Sequence, residues 1–182
     1  AFILCERGNF GTMYSAMFSD EEALRIAAQI ERKGERFYRV AQKLSDSQEM
    51  TNLLELLRGQ EEAHAARFES MLDELLAKKG DFEDEAFSEE SAAFLSALAS
   101  EVVFPGGVMA SMMNRKIDTI PDLLLYAIST EKDSILFYME LVQNTKVPEN
   151  IPVFQQIIQE EKRHLFDLQR MLEETKGEEN RL

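Results

Sequence analysis

Tryptophan is absent from the 182 residues, proline occurs four times, glycine eight times and cysteine once. With so few chain breakers, long stretches rich in Ala, Leu, Glu, Lys, Gln and Met run uninterrupted, which favours helix. Short alternating runs of Val, Ile and Thr, the signature of strands, are scarce. A lone Cys5 excludes an internal disulfide and any C-x-x-C pair, and with them a cysteine-ligated zinc or iron centre. Any metal must therefore be held by oxygen and nitrogen. Basic residues are also in deficit, 20 against 34 acids for a net charge of −14, which argues against nucleic acid or an anionic membrane as partner. No apolar run approaches the length of a membrane span. The opening "AFILCERGNF" has four apolar residues and then charge, too short for a signal peptide's apolar region and without a basic segment before it. A cytoplasmic location is expected, with residues 1–18 as a tail or short packing segment.

What is present is a set of helical stripes. The first opens at "FSDEEALRIAAQ", where Ser19 and Glu22 have capping-box spacing, and continues through Leu24, Ala27, Ala28, Glu31, Gly34, Tyr38 and Ala41. Asp46 with Glu49 has the spacing to cap a second, carrying Leu53, Leu54, Leu57, Glu61, His64, Ala65, Phe68 and Met71, which stops near "KKGD". A third starts at "DTIPDLLLYA", with Pro121 in its first turn, and carries Leu124, Ala127, Glu131, Ser134, Tyr138 and Leu141. The fourth carries Ile157, Ile158, Glu161, His164, Leu165, Leu168 and Met171. Between the second and third, an acidic, loosely patterned segment contains one short helix, "AAFLSALASEVVF", broken at Phe104–Gly107.

A shift of 100 residues superposes the two halves without a gap. Leu24 falls on Leu124, Glu31 on Glu131, Phe37-Tyr38 on Phe137-Tyr138, Glu61 and His64 on Glu161 and His164, and Met71-Leu72 on Met171-Leu172. A helical hairpin repeated with a long crossover predicts an all-α four-helix bundle. Its parts are hairpin 19–79, crossover 80–118 and hairpin 119–176, with residues 177–182 as a C-terminal tail.

The stripes contain residues that a core excludes. An unpaired buried carboxylate costs several kcal/mol, about 3–5 when a partner is removed, yet four glutamates and both histidines lie on the inward faces, with no Lys or Arg among them. Two divalent cations would supply the missing positive charge. Residues i and i+3 share a helix face, so Glu61 with His64, and Glu161 with His164, can each serve one ion. One Glu-x-x-His in so acidic a chain is weak; two in phase, with matched single glutamates at Glu31 and Glu131, form the pattern of di-iron and di-manganese carboxylate bundles. Ligands of this mix suit iron or manganese. Tyr38 and Tyr138, two turns beyond Glu31 and Glu131, are placed either to hydrogen-bond a ligand carboxylate or to pack in the core. Gly34 reads as a point of close helix packing.

"AAQIERKGERFY" with "QEEAHAARF", and "AISTEKDSILFY" with "QEEKRHLFDL", resemble the ferritin-like superfamily, and the rubrerythrin-type proteins most nearly, over about residues 19–175. The resemblance implies a ferritin-like fold and two iron ions per chain, manganese or zinc being alternatives. It implies Glu31, Glu61, His64, Glu131, Glu161 and His164 as ligands, with Glu61 and Glu161 as bridges. It further implies redox chemistry with O2 or H2O2, an external electron donor and a homodimer. Many rubrerythrins carry a rubredoxin domain with four iron-binding cysteines, for which this sequence has no counterpart. They also carry an extra glutamate one turn after the third-helix ligand, where Ser134 stands here, and Gly34 in the first half. The remaining set resembles the symmetric site of bacterioferritin. An iron-sequestering ferroxidase and a bundle with a structural metal pair are the competing functions.

Overall fold

The computed structural model describes residues 18–45, 47–78, 86–103 and 119–179. Cys5, Asp46 and the break at Phe104–Gly107 lie outside them. The described residues form five α-helices and no strand: α1 (Asp20–Ala41), α2 (Gln48–Ala77), α3 (Glu89–Val103), α4 (Ile120–Asn144) and α5 (Ile151–Glu179). α1 pairs with α2 and α4 with α5 as two long hairpins, and α3 lies against α1 and α4. α5 continues into the charged segment read from sequence as a tail. Among the described residues no helix is long and apolar enough to cross a membrane.

Local chemistry fixes the helix ends. Ser19 is the N-cap of α1, but its hydroxyl makes no capping bond, so the spacing with Glu22 does not become a capping box. Asp20 instead turns inward. It is buried, and accepts hydrogen bonds from Thr145 Oγ1 (2.5 Å) and the Lys146 amide (2.8 Å) in the α4–α5 turn. Its negative charge also suits a helix N-terminus. The cap of α2 is Ser47, whose Oγ accepts from the Met50 amide; Glu49 falls within the first turn. Thr119 caps α4, accepting from the Asp122 amide, with Pro121 in the first turn where its missing N–H costs nothing.

The apolar stripes form two clusters with the glutamates and histidines between them. One gathers Leu24 and Ala27 near the start of α1, Phe68 near the end of α2, Phe137 and Tyr138 near the end of α4, and Phe154 and Ile157 near the start of α5. The other gathers Phe37 and Tyr38, Leu54 and Leu57, Leu124, and Leu168 and Met171. Residues 100 apart thus fall in opposite clusters, as a two-fold relation between the hairpins requires. The ends are not equal. Phe18, Phe87 and the buried Ala92, Leu95 and Ala99 of α3 close the first cluster, helped by a 2.7 Å bond from the Phe87 amide to the Phe18 carbonyl.

Candidate metal centre

Each hairpin delivers three ligand-type side chains to the middle of the bundle. α1 brings Glu31 and α2 brings Glu61 and His64; α4 brings Glu131 and α5 brings Glu161 and His164. All six are at most 5% exposed. The i, i+3 spacing predicted from sequence is realised on both α2 and α5, and all six residues meet in one place. Ligand atoms of Glu31, Glu61, His64 and Glu161 lie within 4.8 Å of one another, as do those of Glu61, Glu131, Glu161 and His164. Glu61 and Glu161 belong to both groups, the position required of bridging carboxylates.

The imidazoles lie side by side, centroids 5.9 Å apart and 22° from parallel. Each turns Nδ1 toward the carboxylates. Glu161 Oε1 is 2.8 Å from His64 Nδ1, and Glu161 Oε2 is 2.8 Å from His164 Nδ1. Glu31 Oε2 lies 3.5 Å from His64 Nδ1, while Glu61 Oε1 and Glu131 Oε2 lie 3.6 and 3.8 Å from His164 Nδ1. Close as they are, Glu31 Oε2, Glu61 Oε1, both oxygens of Glu161 and both Nδ1 atoms are buried without a well-formed hydrogen bond among the described residues. Buried polar atoms are normally paired; six orphans facing one another fit cations that bind all of them at once.

Electrostatics agree. Burial raises Glu61 well above the ordinary carboxylate range, reinforced by Glu31, Glu131 and Glu161. Burial, together with the charges of Glu131 and Glu31, pushes Glu161 up to about 7 despite the histidines. Burial alone would depress the imidazoles, but the surrounding glutamates outweigh it. They raise His64 to about 11 and His164 to about 10. In the metal-free protein, protons do part of the work that divalent cations would do.

The second ring of contacts crosses between hairpins. Tyr38 on α1 donates to Glu131 on α4, and Tyr138 on α4 donates to Glu31 on α1. The tyrosines thus do both things the sequence allowed: their rings pack, Tyr38 5.1 Å from Phe37 and Tyr138 5.2 Å from Phe68 by centroid, and their hydroxyls hold glutamates. Gly34 is a point of close packing whose neighbour is a ligand-type side chain. A Cβ there would stand 2.9 Å from Glu61 Cδ and 3.2 Å from Cγ. Glu35 is held by Arg39, Arg32 and Arg58 and belongs to neither ligand group. Ser134 is buried at the position equivalent to Gly34. Sequence reasoning missed Glu160, whose Oε2 lies 2.7 Å from His64 Nε2. The only signal was its place beside Glu161, where it reads as a solvated acid.

A four-helix bundle with buried Glu and Glu-x-x-His contributions from both hairpins is a carboxylate-type metal-binding protein. The rubrerythrin family model matches residues 122–182, the hairpin of α4 and α5. The crystal structure of a candidate ferritin-like diiron-carboxylate protein from Thermotoga maritima superposes with a TM-score of 0.70 at 30% identity, covering 87% of this chain and 97% of that one. No curated protein matches. The chain belongs to the ferritin-like, rubrerythrin-type family.

Proposed function

We propose that Glu31, Glu61, His64, Glu131, Glu161 and His164 hold two iron ions, and that the protein is an oxidoreductase using O2 or H2O2 as oxidant and an external electron donor. The observation that carries this reading is the convergence of six unpartnered buried ligand atoms on one point between four helices. Four carboxylates balance the charge of two divalent ions, and oxygen with imidazole nitrogen suits iron. A ferrous pair held there would supply the two electrons that, with two protons, reduce one hydrogen peroxide to two waters.

The chain's own residues set the conditions for that chemistry. Glu61 and Glu161, present in both ligand groups, span the two positions. The imidazoles bind by Nδ1, the nitrogen that faces the carboxylates. Tyr38 and Tyr138 fix Glu131 and Glu31 by donating to one oxygen of each. The apolar clusters on either side keep bulk water from the carboxylates. Turnover of peroxide, in place of storage of ferric iron, is favoured by the kinship of the second hairpin with rubrerythrin.

The test is an anaerobic Fe(II) titration of the metal-free protein, followed by oxidant. Saturation at two irons per chain, lost in Glu61→Ala and in Glu161→Ala, with repeated peroxide consumption when a reductant is supplied, is the expected result. Ferric loading far beyond two per chain would favour sequestration, and a redox-silent zinc pair a structural metal. Absence of stoichiometric binding would overturn the reading.

A further inference from the structure

The six ligand-type residues obey the two-fold relation between hairpins, but the groups behind the histidines do not. His64 Nε2 meets Glu160 Oε2 at 2.7 Å, and Glu160 is itself steadied by Gln156, whose amide donates to Oε1 at 3.0 Å. His164 Nε2 is buried and has no hydrogen-bond partner among the described residues. The residue 100 positions before Glu160 is Gln60, which carries no charge and makes no bond to that nitrogen. The difference matters for an imidazole that gives Nδ1 to a metal, because its remaining proton then sits on Nε2. A carboxylate accepting that proton fixes the tautomer and ring orientation and makes Nδ1 more basic; losing such a partner typically costs 10–100-fold in metal affinity. For His164 no described residue accepts the Nε2 proton.

We propose that the two metal positions are unequal, that the one served by His64 fills first, and that Glu160 is the positioning residue that makes it so. This rests on the reading of the six residues as metal ligands. Glu160 acts through the imidazole and touches neither the ion position nor its other ligands.

Cobalt(II) is a suitable probe, since its visible absorption reports ligation in the absence of turnover. Titration of the metal-free full-length chain, read by absorption and by calorimetry, is expected to show two steps. The first should be about 10–100-fold tighter than the second, beyond the statistical separation of identical sites. Glu160→Gln should weaken the first step in part, since glutamine can still accept the bond but brings no charge, and Glu160→Ala, which leaves His64 Nε2 as bare as that of His164, should weaken it until the two steps merge. Gln60→Glu, by giving His164 the same type of partner, should tighten the second step and leave the first unchanged. Two equal steps in the native protein, or a first step indifferent to both Glu160 variants, would overturn the proposal while leaving the metal site standing. No cobalt binding at all would instead sink the ligand assignment itself.

Discussion

Loading the metal-free protein should expel protons, and the number is worked from the site. At pH 7, His64, raised to about 11, and His164, raised to about 10, are both imidazolium. Glu61 is raised well above its ordinary value by burial and three neighbouring carboxylates, and Glu161, at about 7, is half protonated. Metal ligation requires all four to be deprotonated. His64, His164 and Glu161 therefore release about two to three protons per chain, and Glu61 adds in the same sense, against about half a proton if the same groups had their ordinary values. The overall association constant for two ions should rise by at least about two decades per pH unit near neutrality. Isothermal titration with Mn(II) in buffers of different ionisation enthalpy, such as PIPES and MOPS, reads the count from the change in apparent enthalpy. Release of less than about one proton would refute the reasoning, since it would mean that the carboxylates and imidazoles do not share protons in the metal-free core.

Stability without metal should carry the same signature. The two imidazoles have folded-state values above the unfolded one, so their contribution is full below about pH 6.5 and is lost as pH rises through 10 to 11. Raised Glu161 acts in the same sense, its contribution being lost as pH rises from 4.5 through about 7. The metal-free protein should lose about 1.4 kcal/mol per pH unit per histidine above neutrality, measured by urea unfolding from pH 7 to 9. Metal-loaded protein should not follow that slope.

Gly34→Ala adds a methyl group 2.9 Å from Glu61 Cδ. It should cost about 1–3 kcal/mol despite alanine's better helix propensity, and lower the iron stoichiometry. Gly59→Ala, where no atom lies within 4 Å, should stabilise by about 0.5–1 kcal/mol in the same assay. Tyr38→Phe and Tyr138→Phe each leave a buried carboxylate oxygen without its donor; each should cost about 1–3 kcal/mol in chemical denaturation, by similar amounts because their settings are equivalent. Asp20→Ala removes the acceptor for Thr145 and the Lys146 amide. It should cost about 1–3 kcal/mol and speed amide exchange at Lys146, while leaving metal stoichiometry unchanged.

The candidate ligand set is legible in the sequence because it violates a rule that apolar stripes obey. Glutamate and histidine at core phase stand out against leucine, the i, i+3 relation is fixed by helix geometry, and the 100-residue repeat supplies each residue with a counterpart. Capping reads less well, since Ser19 with Glu22 has the right spacing and forms no box, while Ser47 caps the helix for which Asp46 and Glu49 have the spacing. Spacing shows which side chains can reach an amide, and competition among neighbours decides which one does.

By itself the sequence determined the four amphipathic helices, their pairing as repeated hairpins and the six polar residues that face inward, because these follow from periodicities within single helices. The tertiary structure decided what lies between helices. Tyr38 and Glu131 are 93 residues apart, Tyr138 and Glu31 107, His64 and Glu160 96, and no local period encodes such pairs. It also decided that Gly34 makes room for a carboxylate and that Asp20 fastens α1 to a turn of the other hairpin. The partner at His64 and its absence at His164 belong with these, because only packing sets which acid of one helix meets the outer nitrogen of a histidine on another.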